Sequence, residues 1–203
     1  MNSLIEERVG DYEVKVFQDE YPDSPRDWDN LGKMVCFHRR YNLGDKHGYS
    51  HDQYDSWEEM EEAIKKIESA CVILPLYLYD HGGITISTSS FSCQWDSGRI
   101  GFIYAKKEDV YKEHGVKRIT KDIVEKVTNL LEGEVKTYDQ YLRGNVYKYE
   151  IYKVSKCDQG HEHLEFEDAC SGFYGEDSCL EEALYIANKL MEHEKETEYS
   201  SHP

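Results

Sequence analysis

The sequence predicts a single α+β domain over residues 1–193, with a mostly antiparallel sheet and helices packed on one face. Segments with strand-like and helix-like periodicity are mixed along the chain, without the regular strand–helix alternation of a parallel sheet. Neither an internal repeat nor a low-complexity linker interrupts the 203 residues. This length suits one domain of ordinary size that is large enough to bury a hydrophobic core.

Strands alternate with polar loops in the first quarter of the chain. Apolar residues at every second position are typical of a strand with one buried face, and runs rich in Asp, Pro, Asn and Gly are typical of loops. We therefore predict a strand at 11–18, a loop at 19–32, a short buried strand at 34–38 and a second polar loop at 42–55.

A helix is predicted over residues 56–70. Ser56 and Glu59 form a capping-box pattern, in which the Ser hydroxyl and the Glu carboxylate satisfy free backbone N–H groups. Apolar residues at helical spacing follow from Met60 to Ile67. This combination of a start signal and a periodic apolar face indicates an amphipathic helix.

A β-hairpin is predicted after this helix. Its first strand contains Pro75, which cannot donate a ladder hydrogen bond, so this strand is expected at a sheet edge or at a bulge. Glycines in the turn allow positive φ angles. The predicted elements are a strand at 72–79, a turn at 80–83, the return strand at 84–88, a polar loop at 89–98 and a strand at 100–105.

The second half of the chain predicts three helices and two strands. Gly115 is expected to stop the first helix, and the apolar spacing of the second is typical of a long amphipathic helix. A capping-box pattern at Ser178 and Glu181 is expected to begin the last helix. The elements are helices at 107–114 and 119–142, strands at 145–154 and 163–174, a helix from 178 and a disordered acidic tail at 194–203.

The charge balance argues against several functional classes. The chain has 41 acidic and 24 basic residues and a formal charge of −17, whereas surfaces that bind nucleic acid directly need clustered Lys and Arg. No apolar run approaches the ~20 residues of a membrane span, and no signal-peptide pattern opens the chain. We therefore expect a cytosolic protein that makes no contact with nucleic acid or membrane.

The acidic residues concentrate towards both ends of the chain. Residues 1–70 and 141–203 each carry a net charge of −8, against −1 for 71–140. If the ends meet in space, they form a negative surface that attracts a basic partner; the alternative is an acidic surface that only maintains solubility. The residues expected to bind such a partner are Asp19, Glu20, Asp23, Asp27, Asp29, Glu181 and Glu182.

A catalytic site is a second possibility, because the hairpin turn and the loop after it carry Asp80, His81, Cys93 and Asp96. A Cys nucleophile needs a base that takes its proton, and the base needs a carboxylate that orients it. These residue types lie within 17 positions of one another. The alternative is an ordinary turn Asp and a half-buried Cys without chemistry.

The six cysteines are expected as reduced thiols, since a cytosolic chain of this length needs no disulfides. Four residues between the last two predicted strands are good zinc ligands, although no standard zinc module has their spacing. We expect no cofactor, with a zinc ion as the alternative. Its ligands would be Cys157, His161, His163 and Cys170.

One compact basic segment, His38-Arg39-Arg40-Tyr41, interrupts this acidic chain. Guanidinium groups hold a phosphate or a carboxylate by paired hydrogen bonds, so the segment is a candidate anion site. The use we expect is an internal ion pair with Asp45 or with the acidic loop at 19–29.

Three stretches of the sequence together carry a resemblance to other proteins. They are Asp29 to Asp45, Leu74 to Tyr104 and Gly172-Phe-Tyr-Gly-Glu-Asp-Ser178. They resemble a family of uncharacterised proteins carried by bacteriophages, prophages and conjugative elements. The similarity covers most of residues 11–190, and the block from Tyr77 to Asp96 is its most specific part. The resemblance implies no catalytic residue. It implies a bacterial host and a mobile-element context, in which small proteins often act on host machinery.

Two functional classes follow from these observations. The first is an acidic accessory protein that binds and inhibits a host defence protein, of the anti-CRISPR or antirestriction type, by imitating DNA with its carboxylates and anchoring with Tyr and Trp side chains. The second is a hydrolase or nuclease-like enzyme that uses the cluster of His, Asp and Cys on the loops.

Overall fold

The computed structural model describes residues 2–93 and 95–200. Over these ranges the chain forms four α-helices and eight strands, and the strands make two four-stranded sheets in which every pairing is antiparallel. The predicted α+β class is confirmed, with two sheets where the sequence analysis expected one.

The bounds of the elements agree with most of the predicted segments. The strands are β1 Ile5–Val9, β2 Tyr12–Gln18, β3 Lys33–Cys36, β4 Ala70–Asp80, β5 Ile84–Ser87, β6 Ser97–Lys106, β7 Val146–Lys156 and β8 Glu162–Tyr174. The helices are α1 Trp57–Ile67, α2 Lys107–His114, α3 Lys121–Leu142 and α4 Glu176–Ser200. Strand β1 was not expected, because three charged residues separate its two apolar ends.

The chain divides into two compact units. Unit 1 comprises residues 1–23 and 144–203, and unit 2 comprises residues 24–143. Each unit has its own sheet and its own buried core. The organisation as one domain over residues 1–193 stays a prediction.

Unit 1 packs helix α4 against one face of a sheet with the strand order β1-β2-β7-β8. Alternate residues of β2, including Val14 and Val16, are fully buried beneath the helix. The helix presents Ala183 and Ala187, one turn apart and also fully buried. Small side chains at this spacing let the helix axis approach the sheet closely, and this core gives unit 1 its rigid frame.

Helix α4 is longer than the sequence analysis expected. It begins at Glu176, two residues before the capping-box pattern, and continues to Ser200, through the first part of the segment expected to be a disordered tail. Contacts near the end of α4 stabilise this extension. Glu194 pairs with Lys153 of β7 and accepts a hydrogen bond from Tyr12 of β2. Residues 201–203 of the expected tail lie outside the described residues.

Unit 2 has helices on both faces of its sheet, whose strand order is β3-β6-β4-β5. Alternate residues of β6 separate two cores: Ile103 packs with residues of α3, whereas Phe102 packs with residues of α1. The one-face arrangement expected from the sequence therefore applies to unit 1 but not to unit 2. Periodicity within a strand shows that a face is buried, but not which helix buries it.

Strand β4 lies between β6 and β5 and is not an edge strand, but Pro75 itself lies where only one side of the strand is paired. The neighbouring strand β5 pairs only with residues from Tyr77 to Asp80, so Pro75 has a paired strand on one side alone. A register shift also lies between Leu76 and Tyr77. Proline is tolerated here because its missing N–H leaves no ladder hydrogen bond unmade.

Helix boundaries in unit 2 follow the local signals. The hydroxyl of Ser56 accepts a hydrogen bond from the backbone N–H of Glu59 at 3.1 Å, which caps α1 as predicted. Helix α2 ends at Gly115, whose φ of 60° lies in the left-handed region that glycine adopts without strain. None of the helices in the described part of the chain has an apolar stretch long enough to cross a membrane.

A buried ionic network fastens the loop before β3 to helix α3 in unit 2. The guanidinium of Arg26 donates to Asp45 at 2.8 and 3.1 Å, to Glu134 at 3.2 Å and to the carbonyl of Gly32 at 2.7 Å. Glu134 also accepts the backbone N–H groups of Leu31 and Gly32, each at 3.0 Å. Asp45 therefore pairs with Arg26, and not with the basic segment at 38–41 as the sequence analysis expected.

Candidate functional site

The two units differ strongly in charge. Unit 1 contains 21 acidic and seven basic residues, and unit 2 contains 20 acidic and 17 basic residues. Of the net charge of −17, −14 therefore belongs to unit 1, which has fewer residues than unit 2. The structure concentrates the charge because it places the first 23 residues and the last 60 in one unit.

The acidic loop after β2 is held beside the junction of β8 and α4. The backbone N–H of Asp19 donates to the carbonyl of Val146 at 2.8 Å. The hydroxyl of Tyr174, the last residue of β8, donates to the carbonyl of Asp23 at 2.8 Å. Because α4 begins two residues after Tyr174, this loop and the first turns of α4 lie at the same end of unit 1.

We call this surface the acidic end. Its carboxylates come from the loop after β2 and from the first two turns of α4, and none of them forms an ion pair with a described residue. All except the half-buried Asp19 are exposed. The members are Asp19, Glu20, Asp23, Glu176, Asp177, Glu181 and Glu182.

An aromatic side chain lies within the acidic end. Tyr21 is 90% exposed, between Glu20 and Asp23 in sequence. Exposed Tyr rings are favourable anchors at protein interfaces, because they bury a large area and lose little conformational entropy. The acidic end thus combines unpaired negative charge with an apolar contact point.

Two buried tyrosines of unit 1 donate hydrogen bonds to carboxylates on α4 and β8. Burial and a hydrogen bond to Glu194 raise the pKa of Tyr12, and burial and a hydrogen bond to Asp168 raise the pKa of Tyr149. The hydroxyl of Tyr149 lies 3.1 Å from the Asp168 carboxylate. Both phenols therefore stay protonated and donate to carboxylates at neutral pH.

The other two acids of the predicted binding set are not part of the acidic end. Asp27 and Asp29 belong to unit 2, where both residues are exposed. Asp27 closes a short 3-10 turn that begins at Pro25. The structure thus groups five of the seven predicted binding residues in unit 1.

The predicted catalytic residues are close together in unit 2. Asp80 ends β4, and its backbone N–H donates to the carbonyl of Asp96 at 2.8 Å, which joins the hairpin turn to the following loop. Nδ1 of His81 lies 3.2 Å from Oδ2 of Asp96, and the thiol of Cys93 lies 3.8 Å from the same oxygen. Asp80 itself pairs with Arg40.

The order of these contacts limits the chemistry. In a Cys–His–Asp arrangement the imidazole contacts the thiol and removes its proton. Here the carboxylate of Asp96 lies between Cys93 and His81, so the thiol contacts a carboxylate and not the base. The His81 side chain is 71% exposed. The arrangement suits a His–Asp general base better than an activated Cys nucleophile.

The four predicted zinc ligands are not brought together. Cys157 and His161 close the turn between β7 and β8 through a backbone hydrogen bond of 3.0 Å. His163 and Cys170 are seven residues apart on the extended strand β8, a separation of about 23 Å, whereas zinc ligands lie ~2.0–2.3 Å from one ion. Among the described residues, no group of three or more His, Cys, Asp or Glu side chains is placed to hold a metal ion.

The cysteines are free thiols, as expected. Burial raises the pKa of Cys36 to about 12 and that of Cys179 to about 12. These two thiols therefore stay protonated at neutral pH, which makes them poor nucleophiles and poor metal ligands. Their role is packing in the cores of unit 2 and unit 1.

Comparison with known proteins adds no identification. No protein-family model matches the chain, and neither the curated proteins nor the solved structures searched contain a match. The functional argument therefore depends on the geometry and charge of the two units.

Proposed function

We propose that this protein is an acidic inhibitor that covers a basic surface of a partner protein with the acidic end of unit 1. The observation that carries the proposal is the grouping of seven unpaired carboxylates from two distant segments, in the unit that holds most of the net charge. Charge that is not neutralised within the protein is available for a partner.

The mechanism is occlusion. A protein that binds nucleic acid presents clustered Lys and Arg to the phosphates, and a rigid surface of carboxylates competes for the same side chains. The negative field accelerates association, and Tyr21 supplies an apolar anchor once the surfaces meet. The partner therefore loses access to nucleic acid without any covalent chemistry.

The mobile-element resemblance suggests the class of partner. A host defence protein of the CRISPR or restriction type has a basic nucleic-acid channel, and an inhibitor of it benefits a mobile element. In this proposal the inhibitor acts in the bacterial host cytosol and imitates DNA through its carboxylates.

The first test is an affinity pull-down of the full chain from nuclease-treated bacterial lysate at low and high salt, read by mass spectrometry. We expect one near-stoichiometric partner with a basic surface at low salt and its loss at high salt, because salt screens exposed charge. A partner retained equally at both salt concentrations contradicts the electrostatic mechanism.

A matched pair of variants tests the acidic end directly. We expect the triple variant Glu20→Gln, Asp23→Asn, Glu181→Gln to bind the captured partner about tenfold more weakly, since each exposed charge pair contributes ~0.5 kcal/mol. The control is Glu113→Gln, Glu125→Gln, Glu132→Gln, which removes the same charge from exposed residues of unit 2. Equal affinity of both triple variants in a binding titration would show that only net charge matters.

The second candidate function is a hydrolase or nuclease-like enzyme, favoured by the 3.2 Å contact of His81 with Asp96. A general base oriented by a carboxylate is a recurrent catalytic element. We expect His81→Ala and Asp96→Ala each to abolish hydrolysis of ester, phosphodiester or nucleic-acid substrates, with Ser90→Ala in the same loop as a control. Full activity of both variants would exclude this function.

A further inference from the structure

A basic cleft in unit 2 has no role in the function proposed above. It is an open cavity of about 890 Å³, lined by the segment after β3, by the start of α1 and by β6. Small-molecule sites have volumes of ~300–1,000 Å³, so the cleft has the right size for a small ligand. The lining residues used below are Phe37, His38, Arg39, Lys46, His51 and Trp57.

Two cations in the cleft are without partners in the described part of the chain. Arg39 and Lys46 are exposed and form no ion pair there, whereas the neighbouring Arg40 pairs with Asp80. One of the two acids in the lining, Asp45, is already held by Arg26. The other acid, Asp52, is exposed and forms no ion pair with a described residue, so the two cations leave the cleft with a small positive charge in a protein whose net charge is −17.

Backbone geometry orients a third donor. Nδ1 of His38 accepts the backbone N–H groups of Arg40 at 3.3 Å and of Tyr41 at 3.2 Å. In a neutral imidazole the other ring nitrogen then carries the proton. His38 thus offers an Nε2–H donor beside Arg39, and a phosphate group takes several such donors at once.

An aromatic wall forms the remaining side of the cleft. Ring centroids lie 4.9 Å apart for His51 and Trp57, 5.8 Å for Phe37 and His51, and 6.2 Å for Phe37 and Trp57. Beneath this wall Arg99 stacks on Phe102 at 4.4 Å and pairs with Glu61 at 3.3 Å, whereas its buried Nε–H has no hydrogen-bond partner among the described residues. These rings meet at interplanar angles of 54–78°, so a flat ligand ring packs on the face of one ring and against the edge of its neighbour.

We propose that the basic cleft binds a nucleoside phosphate, with the phosphate on Arg39, Lys46 and His38 and the base against Phe37, His51 and Trp57. This ligand class combines one compact anion with one planar ring, as the cleft requires. A long nucleic-acid strand fits poorly, because its many phosphates need a continuous row of cations and the rest of this acidic chain repels them. The site uses unit 2 alone and stands independently of the acidic end.

Isothermal titration calorimetry of the full chain tests the proposal with AMP, CMP, adenosine, ribose 5-phosphate and inorganic phosphate. We expect AMP or CMP to bind at least tenfold more tightly than adenosine, ribose 5-phosphate or phosphate, because only the nucleotides fill both halves of the cleft. Equal binding of ribose 5-phosphate and AMP overturns the proposal, and so does tighter binding of a twelve-nucleotide single-stranded DNA.

A double variant locates the binding. Arg39→Gln with Lys46→Gln is expected to weaken AMP binding at least tenfold, since both free cations are lost. Lys117→Gln with Arg118→Gln is the matched control, because these exposed cations lie between α2 and α3 outside the cleft lining. Thermal melts confirm that both variants are folded. Unchanged affinity in the first variant, or no nucleotide binding by the wild-type chain, overturns the proposal.

Discussion

A Gly101→Ala variant is expected to lose at least about 4 kcal/mol of unfolding free energy, which is exceptional for one methyl group. Gly101 is buried in β6 and pairs with Cys36 of β3. A Cβ at this position would lie 1.8 Å from the carbonyl oxygen of Val35 and 2.9 Å from its carbonyl carbon. Because the obstacle is backbone, no side-chain rotation relieves it, and β3 has to separate from β6.

The control is on the same strand. Gly98 has nothing within 4 Å of its ideal Cβ position, so Gly98→Ala is expected to be neutral or to stabilise slightly, since alanine restricts the unfolded chain. Urea denaturation followed by circular dichroism measures both variants. A Gly101→Ala protein as stable as Gly98→Ala would show that β3 and β6 do not pair as described.

The Arg26→Ala variant, which removes this guanidinium, is expected to have the second large effect. It should lose about 3–5 kcal/mol of unfolding free energy. The Arg26 side chain is only 6% exposed and is the cation between Asp45 and Glu134. Burial raises the pKa of Glu134 even though Gly32 N–H and Arg26 lower it. Without Arg26, the carboxylates of Asp45 and Glu134, which are 13% and 11% exposed, lose their shared counter-charge.

The pH dependence of this loss has a definite sign. A carboxyl group whose pKa is raised in the folded state stabilises the fold when protonated and costs stability as the pH rises through that pKa. Arg26 lowers the pKa of Glu134, so its removal raises that pKa further, and protonation at low pH relieves the variant more than the wild type. The difference in unfolding free energy between wild type and Arg26→Ala is therefore expected to be smaller at pH 5 than at pH 7. Urea titrations at both pH values measure it.

The pair of Arg143 and Asp139, whose guanidinium is exposed although its carboxylate is largely buried, provides the comparison. Arg143 is half exposed and pairs with Asp139 one helical turn away, so Arg143→Ala is expected to cost less than about 1 kcal/mol. A loss equal to that of Arg26→Ala would mean that the burial of the network does not set its energy. If Arg26→Ala lost as much unfolding free energy at pH 5 as at pH 7, the role assigned to Glu134 would be contradicted.

The sequence predicted the elements whose signals are local. Helix α1 follows from the cap at Ser56 and from Met60 and Ile64, which are buried as the spacing requires. The hairpin of β4 and β5 follows from a glycine turn between two apolar runs. A cap, a turn and a periodic face each depend on residues within a few positions of one another, so the chain determines them before it folds.

The candidate sites show where local signals end. Sequence spacing made His81, Cys93 and Asp96 candidates for one site without giving their geometry. The structure brings them together and places the carboxylate between the other two side chains. The four predicted zinc ligands are not brought together, for a related reason. Both His163 and Cys170 belong to strand β8, and extended backbone separates residues by ~3.3 Å each.

By itself, the sequence determined the total charge, the reduced thiols and most of the helices and strands of this protein. Only the tertiary structure decided that residues 1–23 join 144–203, that Asp45 pairs with Arg26, and that Arg39, beside an aromatic wall, forms no ion pair with a described residue. The physical reason is the distance along the sequence over which each kind of interaction acts. Propensity and capping act within a turn of the chain, whereas the choice of strand neighbours and ion-pair partners depends on how distant apolar faces are buried together.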